Sequence, residues 1–287
     1  MSHAAAIRGL HWSDNGCAAL DGALLDRALE LDGIFGAWAG TLGAIEHRFP
    51  ATIAAADLAP VAWLRSFPHL ATFVMGGQRR RPTLEALAAS CADGEGASIP
   101  ADLLEPVTHL LAPATCYHFY PRLAGRRLEA PLVLTAMCQC HRREERYEPL
   151  RRQWCFSMRE IVYIGDRHSV ERFTARGRRL LDALVRRLAI DATWHTATDP
   201  FFDPANDPKA LAQRVEPAKQ ELRLADGLAI ASSNTHRTFF ADCYDIRIRK
   251  EAAHSACVAF GIERWLFALV QRFGADARDW PPLGRAR

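Results

Sequence analysis

The sequence predicts an α+β fold in which helices flank an antiparallel sheet. Stretches with apolar residues at helical spacing stand towards both ends of the chain, and several short β-like segments follow one another between residues 107 and 163. The regular strand–helix alternation of a parallel sheet is missing. Because the 287 residues contain no Gly/Ser/Pro-rich linker, a single catalytic domain over residues 1–287 is expected, with an N-terminal helical layer over about residues 1–60.

Helices are predicted from the apolar spacing and from the residues that interrupt it. The first predicted helix ends before Pro50, and the second lies between an arginine-containing turn at 76–82 and a loop at 92–100. The third is amphipathic, with arginines on its polar face. In chain order, the predicted helices cover residues 20–47, 83–91, 171–190 and 261–273.

A hairpin is predicted over residues 133–144 and 152–162, joined by about seven residues, and a further strand-rich region spans 220–249. Side chains in a strand alternate between two faces. One face of the hairpin would therefore carry charged and aromatic groups together: Cys138, Cys140, Arg142, Glu144, Arg152, Trp154, Phe156, Met158 and Glu160.

A hairpin face that mixes arginines with aromatic rings suits a nucleotide, since a ring stacks on the base and a guanidinium binds phosphate. A solvated, charged edge hairpin remains the alternative. The Cys138–Cys140 pair is poorly spaced for one tetrahedral zinc ion, because residues i and i+2 of a strand lie about 6.6 Å apart. These two cysteines are expected to be small buried apolar residues.

Composition excludes some classes of protein. Hydrophobic content of 49%, charged content of 24% and a net charge of +3 are ordinary for a globular enzyme and too weakly basic to indicate nucleic-acid binding. No segment approaches the roughly 20 apolar residues of a membrane span, so a cytoplasmic location is expected. The eight cysteines are then mostly reduced, and without a CxxC pair any metal site combines distant residues.

Residues 140–162 carry the clearest motif. The spacing C-H-R-R-E, a short loop and R-Q-W-C-F-S-M-R-E resembles motif 2 of the class II aminoacyl-tRNA synthetases, most closely the seryl branch. The matched positions are Arg142, Glu144, Arg152, Phe156 and Glu160.

Other segments extend this resemblance from about residue 20 onward. Residues 255–265 resemble motif 3, with Gly261 and Arg264 at its glycine and arginine. SSNTH at 232–236 resembles the Ser-x-x-Asn stretch of the preceding strands, and LLAPATC at 110–116 takes the place of the Thr-x-Glu loop that holds the substrate amine. The first predicted helix stands in the place of motif 1, which forms the dimer interface, so the resemblance implies a homodimer.

The sequence departs from the seryl enzymes in three ways. No sustained heptads correspond to the tRNA-binding arm of seryl enzymes, Cys116 replaces the Thr-x-Glu acid, and the acid expected before Asn234 is absent. This combination resembles the amino acid:[carrier protein] ligases, relatives of the zinc-dependent atypical seryl-tRNA synthetases. The resemblance implies zinc held by Cys116, Glu160 and Cys257, with an open fourth position for the amine of a small amino acid, glycine or alanine.

The resemblance also implies roles in ATP activation. Arg142 would bind the α-phosphate and Arg152 the β- or γ-phosphate, with Arg142 and Arg264 as the catalytic residues. Phe156 and Arg264 would sandwich adenine, Glu144 would orient its amino group or a neighbouring arginine, and Mg²⁺ would accompany ATP. Lys219, Ser233 and Asn234 are the candidate substrate-binding residues, whereas His141 and His236 are expected to be structural.

The predicted function is ATP-dependent activation of a small amino acid, followed by transfer to the phosphopantetheine thiol of an acyl carrier protein. The alternatives are an enzyme that acylates tRNA, which the missing arm disfavours, and a non-catalytic paralogue that senses amino acid or nucleotide. A nucleic-acid-binding protein would explain the arginines but not the three metal-ligand candidates. The arginines of the helix at 171–190 are expected to form a solvated face, with docking of an acidic carrier as the alternative.

Overall fold

The computed structural model describes residues 7–90 and 99–284 and confirms the α+β class. The helices are α1 (Gly22–Thr41), α2 (Ala55–Leu58), α3 (Trp63–Ser66), α4 (Arg81–Ser90), α5 (Phe119–Arg122), α6 (Arg167–Arg187), α7 (Pro208–Val215), α8 (Phe239–Tyr244) and α9 (Ile262–Phe273). The strands are β1 (Leu10–Ser13), β2 (Cys17–Leu20), β3 (Ile45–His47), β4 (Thr52–Ala54), β5 (Phe73–Val74), β6 (His109–Leu111), β7 (Arg127–Leu128), β8 (Leu132–His141), β9 (Cys155–Gly165), β10 (Ala192–Ala197), β11 (Lys219–Leu224), β12 (Ala229–Arg237), β13 (Arg247–Ile248), β14 (Glu251–Ala252) and β15 (His254–Gly261).

Seven strands form the central sheet, in the order β10-β11-β12-β15-β9-β8-β3. Neighbouring strands are antiparallel except for β3, which pairs with β8 in parallel. The predicted β8–β9 hairpin is therefore part of this sheet, and its neighbour β15 is the strand predicted from the motif 3 resemblance.

Each face of the sheet packs against its own core, as alternation along β15 shows. Ala256, Val258 and Phe260 point into a core shared with α1, α6 and α9. Cys257 points the other way, into a second core that includes residues of α5 and α8. The two faces therefore have different surroundings, and only the Cys257 face borders the cavity described below.

The first helix is shorter than predicted. It ends at Thr41, and Gly43 then adopts a positive φ of 71° that an L side chain disfavours. Backbone N–H groups of Gly43 and Ala44 close the helix end on Gly40 and Ala39. The apolar spacing beyond residue 41 belongs to β3, so the predicted extension to residue 47 is wrong.

Both strands of the central hairpin end earlier on the loop side than predicted, so the connection between them is longer. Strand β8 ends at His141 and β9 begins at Cys155, so residues 142–154 connect them. Arg142, Glu144, Arg152 and Trp154 therefore lie on this connection and not in strands. The predicted shared face does hold inside the strands, where Cys138 pairs with Met158 and Cys140 with Phe156.

Other predicted boundaries need smaller corrections. Helix α6 begins at Arg167 after its N-cap Asp166 accepts a hydrogen bond from the Ser169 backbone N–H, and it ends at Arg187. Helix α4 starts at Arg81, inside the predicted turn, while the predicted loop at 92–100 lies largely in residues 91–98, outside the described residues.

Helix α8 interrupts the strand-rich region predicted at 220–249, whereas α9 confirms the closing helix. None of the helices in the described ranges is long and apolar enough to cross a membrane.

Candidate active site

A cavity of about 500 Å³ lies on the Cys257 face of the central sheet. Strands β9, β11, β12 and β15 form its floor, and the 3₁₀ turn Thr115–His118 and the connection 142–154 contribute to its wall. Ten of the eleven predicted site residues line this cavity: Cys116, Arg142, Glu144, Arg152, Phe156, Glu160, Lys219, Asn234, Cys257 and Arg264.

Ser233 is the exception. Ser232 and Asn234 line the cavity, but Ser233 between them is buried on the opposite face of β12 and pairs with Val258. Because strand side chains alternate, Ser232 takes the cavity position that Ser233 was predicted to have. The prediction of Ser233 as a substrate-binding residue is therefore wrong in placement.

The three predicted metal ligands come together from distant parts of the chain. Cys116 lies in the 3₁₀ turn, Glu160 in β9 and Cys257 in β15. Their candidate ligand atoms all lie within 4.8 Å of one another, and all three residues are buried. The backbone N–H of Cys116 also donates to Glu160 Oε1 at 3.2 Å, which fixes the turn against β9.

All three groups retain their protons unusually strongly. A hydrogen bond with Cys257, then burial and the nearby Glu160, raise the pKa of Cys116 well above its ordinary value. Burial raises the pKa of Glu160. The hydrogen bond with Cys116 lowers the pKa of Cys257, but burial and Glu160 outweigh it and the net shift is upward.

This donor set fits a divalent ion. A buried cation would favour the deprotonated form of each group, and two sulfurs with one carboxylate are ligands that zinc accepts. Cys138 and Cys140, by contrast, are buried outside this group, and burial raises the pKa of both thiols. They are small buried residues, as predicted.

Two side-chain nitrogen atoms lie close to the sulfur of Cys257. Asn234 Nδ2 lies 3.2 Å from Cys257 Sγ, and His236 Nε2 lies 3.6 Å from it. Burial lowers the pKa of His236 to about 4, so its ring is neutral near pH 7. Asn234, predicted to bind substrate, therefore contacts a candidate metal ligand, and its amide also donates to Ser232 Oγ at 3.1 Å.

Three arginines converge on the cavity. Arg142 Nε donates to the Pro113 carbonyl at 3.0 Å, and its guanidinium carbon lies 5.3 Å from the centroid of the Phe156 ring. Arg152 pairs with Glu144 at 2.6 Å. Both positions were predicted from the resemblance to motif 2.

Arg264 is held by two backbone carbonyls, those of Arg151 at 2.9 Å and Ala229 at 3.0 Å. Burial, with the like charges of Arg142 and Arg152, lowers the pKa of Arg264 to about 10. Repulsion among three guanidinium groups makes this part of the cavity favourable for a polyanion.

Sequence reasoning missed the two acids that pair with Lys219 in the cavity. Lys219 Nζ lies 2.8 Å from Asp199 and 3.2 Å from Glu221, and both acids line the cavity. Lys219 is therefore ion-paired and largely buried. Glu221 follows Lys219 at the period of a strand, a signal that was available in the sequence. Asp199 follows β10, and only the tertiary structure brings it here.

The two candidate histidines differ in placement. His236 lines the cavity, whereas His141 does not, and its buried Nδ1 has no hydrogen-bond partner among the described residues. His141 instead packs edge-on against Trp154 at 6.4 Å between ring centroids.

Comparison with known proteins identifies similar curated sequences, although no protein-family model matches the chain. The chain is 33% identical over 242 residues to amino acid–[acyl-carrier-protein] ligase 1 of Bradyrhizobium diazoefficiens, covering 82% of this chain and 73% of that protein. It is 32% identical over 243 residues to ligase 2 of the same organism, covering 82% and 71%. A type-2 serine–tRNA ligase of Methanococcus maripaludis is 26% identical over 136 residues, covering 43% of this chain and 26% of that protein.

Solved structures share the fold. The M. kandleri SerRS structure with A. aeolicus tRNASec matches with a TM-score of 0.80 and 17% identity, over 98% of this chain and 57% of that chain. Prolyl-tRNA synthetase from Cryptosporidium parvum matches with a TM-score of 0.68 and 14% identity, over 96% and 52%. This chain thus spans little more than half of either protein. These likenesses confirm the predicted class II synthetase-like fold.

Proposed function

Because the chain belongs to the family of amino acid–[acyl-carrier-protein] ligases, we propose that it activates an amino acid with ATP and loads it on a carrier protein. In the first step the amino-acid carboxylate attacks the α-phosphate, and pyrophosphate leaves with the electrons of the broken P–O bond. In the second step the phosphopantetheine thiol loses its proton and attacks the adenylate carbonyl, which forms a thioester and releases AMP.

The observation that best supports this proposal is the combination of the Cys116–Glu160–Cys257 group with the arginine-lined region in one cavity. One part suits an amine bound through a metal, and the other suits a triphosphate. Proximity of the two subsites would place the carboxylate of a bound amino acid beside the phosphates.

We propose that Cys116, Glu160 and Cys257 hold zinc and that the substrate is glycine or alanine. When bound, zinc would favour the neutral, coordinating form of the substrate amine. Recognition through the amine needs no side-chain contact, so it suits an amino acid with little or no side chain. Ser232 and Asn234 would line the same pocket from β12.

The arginines and Phe156 have roles in ATP binding under this proposal. Arg142 would offset the charge that develops on the α-phosphate. Arg152 would break its ion pair with Glu144 and bind the outer phosphates. Phe156 and Arg264 would enclose the adenine ring, and Glu144 would then be available to its amino group. We expect Mg²⁺ to enter with the phosphates of ATP, since it commonly retains phosphate and water ligands.

Lys219 would act near the substrate carboxylate or the phosphates. Its ion pairs with Asp199 and Glu221 keep it charged: burial lowers its pKa, but the two acids outweigh burial and raise it. A permanently charged lysine is suited to balance an anion and not to act as a base. The attacking carboxylate is already ionised, so the first step needs no general base.

Amino-acid-dependent exchange of pyrophosphate into ATP tests the activation step. We expect exchange with glycine or alanine, and a loss in Cys257→Ala greater than the roughly 10–100-fold that follows removal of an outer-shell partner. Cys138→Ala is the matched control, because Cys138 is a buried thiol on β8 outside the metal group. It should retain exchange within about threefold.

A transfer assay tests the acceptor. Labelled amino acid should move to a phosphopantetheinylated carrier protein and not to tRNA. Transfer to tRNA alone would support the synthetase alternative, and no exchange with any amino acid would support the non-catalytic one. Protein purified without chelator should contain about one zinc ion per chain, and protein without bound zinc would contradict the proposed metal pocket.

A further inference from the structure

His236 is a half-buried ring beside Cys257 that the proposed reaction leaves without a role. Its Nε2 lies 3.6 Å from Cys257 Sγ, a distance suited to an N–H···S hydrogen bond. Its other ring nitrogen, Nδ1, faces two hydroxyl groups, Tyr120 Oη at 3.0 Å and Ser255 Oγ at 3.2 Å. Both ring nitrogens therefore have partners of defined chemistry.

The direction of the hydrogen bonds between these hydroxyl groups and Nδ1 is coupled to which ring nitrogen carries the proton. Tyr120 donates to Ser255 Oγ at 3.2 Å, and Ser255 can then donate to His236 Nδ1. In the arrangement where Ser255 donates to Nδ1, a neutral ring carries its proton on Nε2. The ring then presents an N–H donor to the sulfur of Cys257.

Aromatic packing holds this arrangement in place. The ring of Tyr120 stacks on Phe240 with centroids 3.7 Å apart and planes 1° from parallel. His236 packs edge-on against Phe240 at 4.9 Å. Tyr120 is almost fully buried, so its hydroxyl cannot exchange this partner for bulk water.

Hydrogen-bond donors near Cys257 can stabilise the negative charge of the proposed metal site. Two thiolates and one carboxylate carry three negative charges, one more than a divalent ion neutralises. The remaining charge is buried, where it is costly unless dipoles stabilise it. Asn234 directs an N–H group at Cys257, and so does His236 when its proton is on Nε2, whereas the Cys116 backbone N–H donates to Glu160.

We propose that His236 is a positioning residue whose Nε2–H donates a hydrogen bond to the Cys257 thiolate and thereby strengthens metal binding. Tyr120 and Ser255 keep the ring in the tautomer that this bond needs. His236 is outside the group of residues whose ligand atoms lie within 4.8 Å of one another, so the geometry favours a donor to a ligand over a fourth ligand. This inference rests on the proposed zinc site.

Metal binding itself, and not catalysis, provides the test. Zinc affinity is measured by competition with a chromophoric chelator, and the protein is also loaded with Co²⁺ to record its sulfur-to-metal absorption band. His236→Phe should bind zinc about 10- to 100-fold more weakly, as expected for loss of an outer-shell partner. Its cobalt band should move to longer wavelength, because a thiolate without its donor is more electron-rich.

Two further variants define the specificity of the effect. His236→Gln restores a side-chain N–H and should recover most of the affinity and the position of the cobalt band. His254→Gln is the matched control: His254 lies on the same strand as Cys257, and none of its hydrogen bonds in the described ranges reaches a thiol. It should behave as wild type.

Should His236→Phe fail to fold, the double variant Tyr120→Phe/Ser255→Ala provides the same test with the histidine in place. It removes both hydroxyl partners of Nδ1, so it should weaken zinc binding and shift the cobalt band in the same direction. Wild-type affinity and an unchanged band in this variant would overturn the inference.

The remaining outcomes separate this inference from the proposed function. If wild-type protein binds no metal, the proposed zinc site is wrong and the inference falls with it. If wild-type protein binds zinc but folded His236→Phe matches it in affinity and cobalt spectrum, only the inference is wrong. X-ray absorption of the zinc protein that shows imidazole scattering would also overturn it, because His236 would then be a ligand.

Discussion

Glu263 carries a buried carboxyl group at the start of α9. Both of its carboxylate oxygens lie 2.9 Å from the backbone nitrogen of Ser157 on β9. Burial raises its pKa from the ordinary 4.5 to about 7, although the Ser157 N–H and the charge of Arg264 oppose the rise. At neutral pH this residue is therefore partly ionised in a place that disfavours the charge.

We predict that Glu263→Gln increases stability at pH 8 but not at pH 4. The folded carboxyl binds its proton more tightly than the unfolded one, so the wild-type free energy of unfolding falls as pH rises from about 4.5 to about 7. The amide accepts the same Ser157 hydrogen bond without ionising. The gain at pH 8 should be up to about 3 kcal/mol, at ~1.4 kcal/mol per pH unit.

Urea unfolding at the two pH values measures this difference. Glu85→Gln on exposed α4 is the control and should change stability little at either pH, since its pair with Arg81 is solvent-exposed. An equal effect of Glu263→Gln at both pH values would show that ionisation of Glu263 is not the cause.

At the scale of elements, helix α6 and strand β15 approach each other closely at Gly177. A Cβ on Gly177 of α6 would lie 2.7 Å from Val258 Cγ2, and Val258 is the residue after Cys257. Valine is stiff at χ1, so it cannot turn away easily. The missing side chain at position 177 lets the helix approach the strand that carries a proposed metal ligand.

We predict opposite effects for alanine at two helical glycines. Gly33→Ala in α1 should stabilise the protein by about 0.5–1 kcal/mol, because nothing lies within 4 Å of the added Cβ. Gly177→Ala gains the same helix propensity but crowds Val258, and overpacking costs about 1–3 kcal/mol, so we expect a net loss. Urea unfolding at fixed protein concentration compares them, and a stabilised Gly177→Ala would contradict the close contact.

At the scale of the whole molecule, the sheet separates two surfaces. Helix α6 packs on β9, β12 and β15 from the face opposite the cavity. Under the proposed function, the thiol of the carrier enters the cavity on the other side of the sheet. This arrangement favours the solvated-face interpretation of the α6 arginines over docking of the carrier.

We accordingly predict that charge reversal on α6 leaves carrier loading almost unchanged. The triple variant Arg172→Glu/Arg179→Glu/Arg186→Glu should transfer amino acid to the carrier within about twofold of wild type, because charges outside a docking surface affect association little. Lys219→Ala, which alters the cavity, should lower the rate strongly. A tenfold loss in the triple variant, with pyrophosphate exchange intact, would place the carrier on α6.

We propose that the homodimer forms through helix α1 and the edge strand β3 of the central sheet. Leu29 of α1 and Ile45 of the edge strand β3 are large apolar residues that are 61% and 54% exposed. We predict that the protein sediments at twice the 31.9 kDa of one chain and that Leu29→Glu/Ile45→Lys sediments as a monomer. Exposed strand edges and apolar residues are typical of surfaces that another chain covers.

Sedimentation equilibrium of wild type and variant decides this prediction. Leu84→Glu on α4 is the matched control, since Leu84 is similarly exposed at 50% but lies away from β3. A monomeric wild type, or dissociation by Leu84→Glu as well, would contradict the proposed interface.

The sequence by itself determined the class of fold, the central hairpin and ten of the residues that line the cavity. Alternation is a local property, and together with the resemblance to motif 2 it selected Arg142, Arg152 and Phe156. Arg264 was selected by the resemblance to motif 3. The metal group was also found from sequence, but only because the resemblance supplied the link between its distant members.

Tertiary structure decided what spacing cannot specify. Alternation shows that Ser232 and Ser233 point to opposite faces, but only pairing of β12 with β15 shows which one reaches the cavity. The meeting of Asp199 with Lys219, and of His236 with Cys257, likewise depends on strands distant in sequence. The physical reason is that local periodicity fixes relative orientation, whereas strand pairing and burial fix the absolute face and its neighbours.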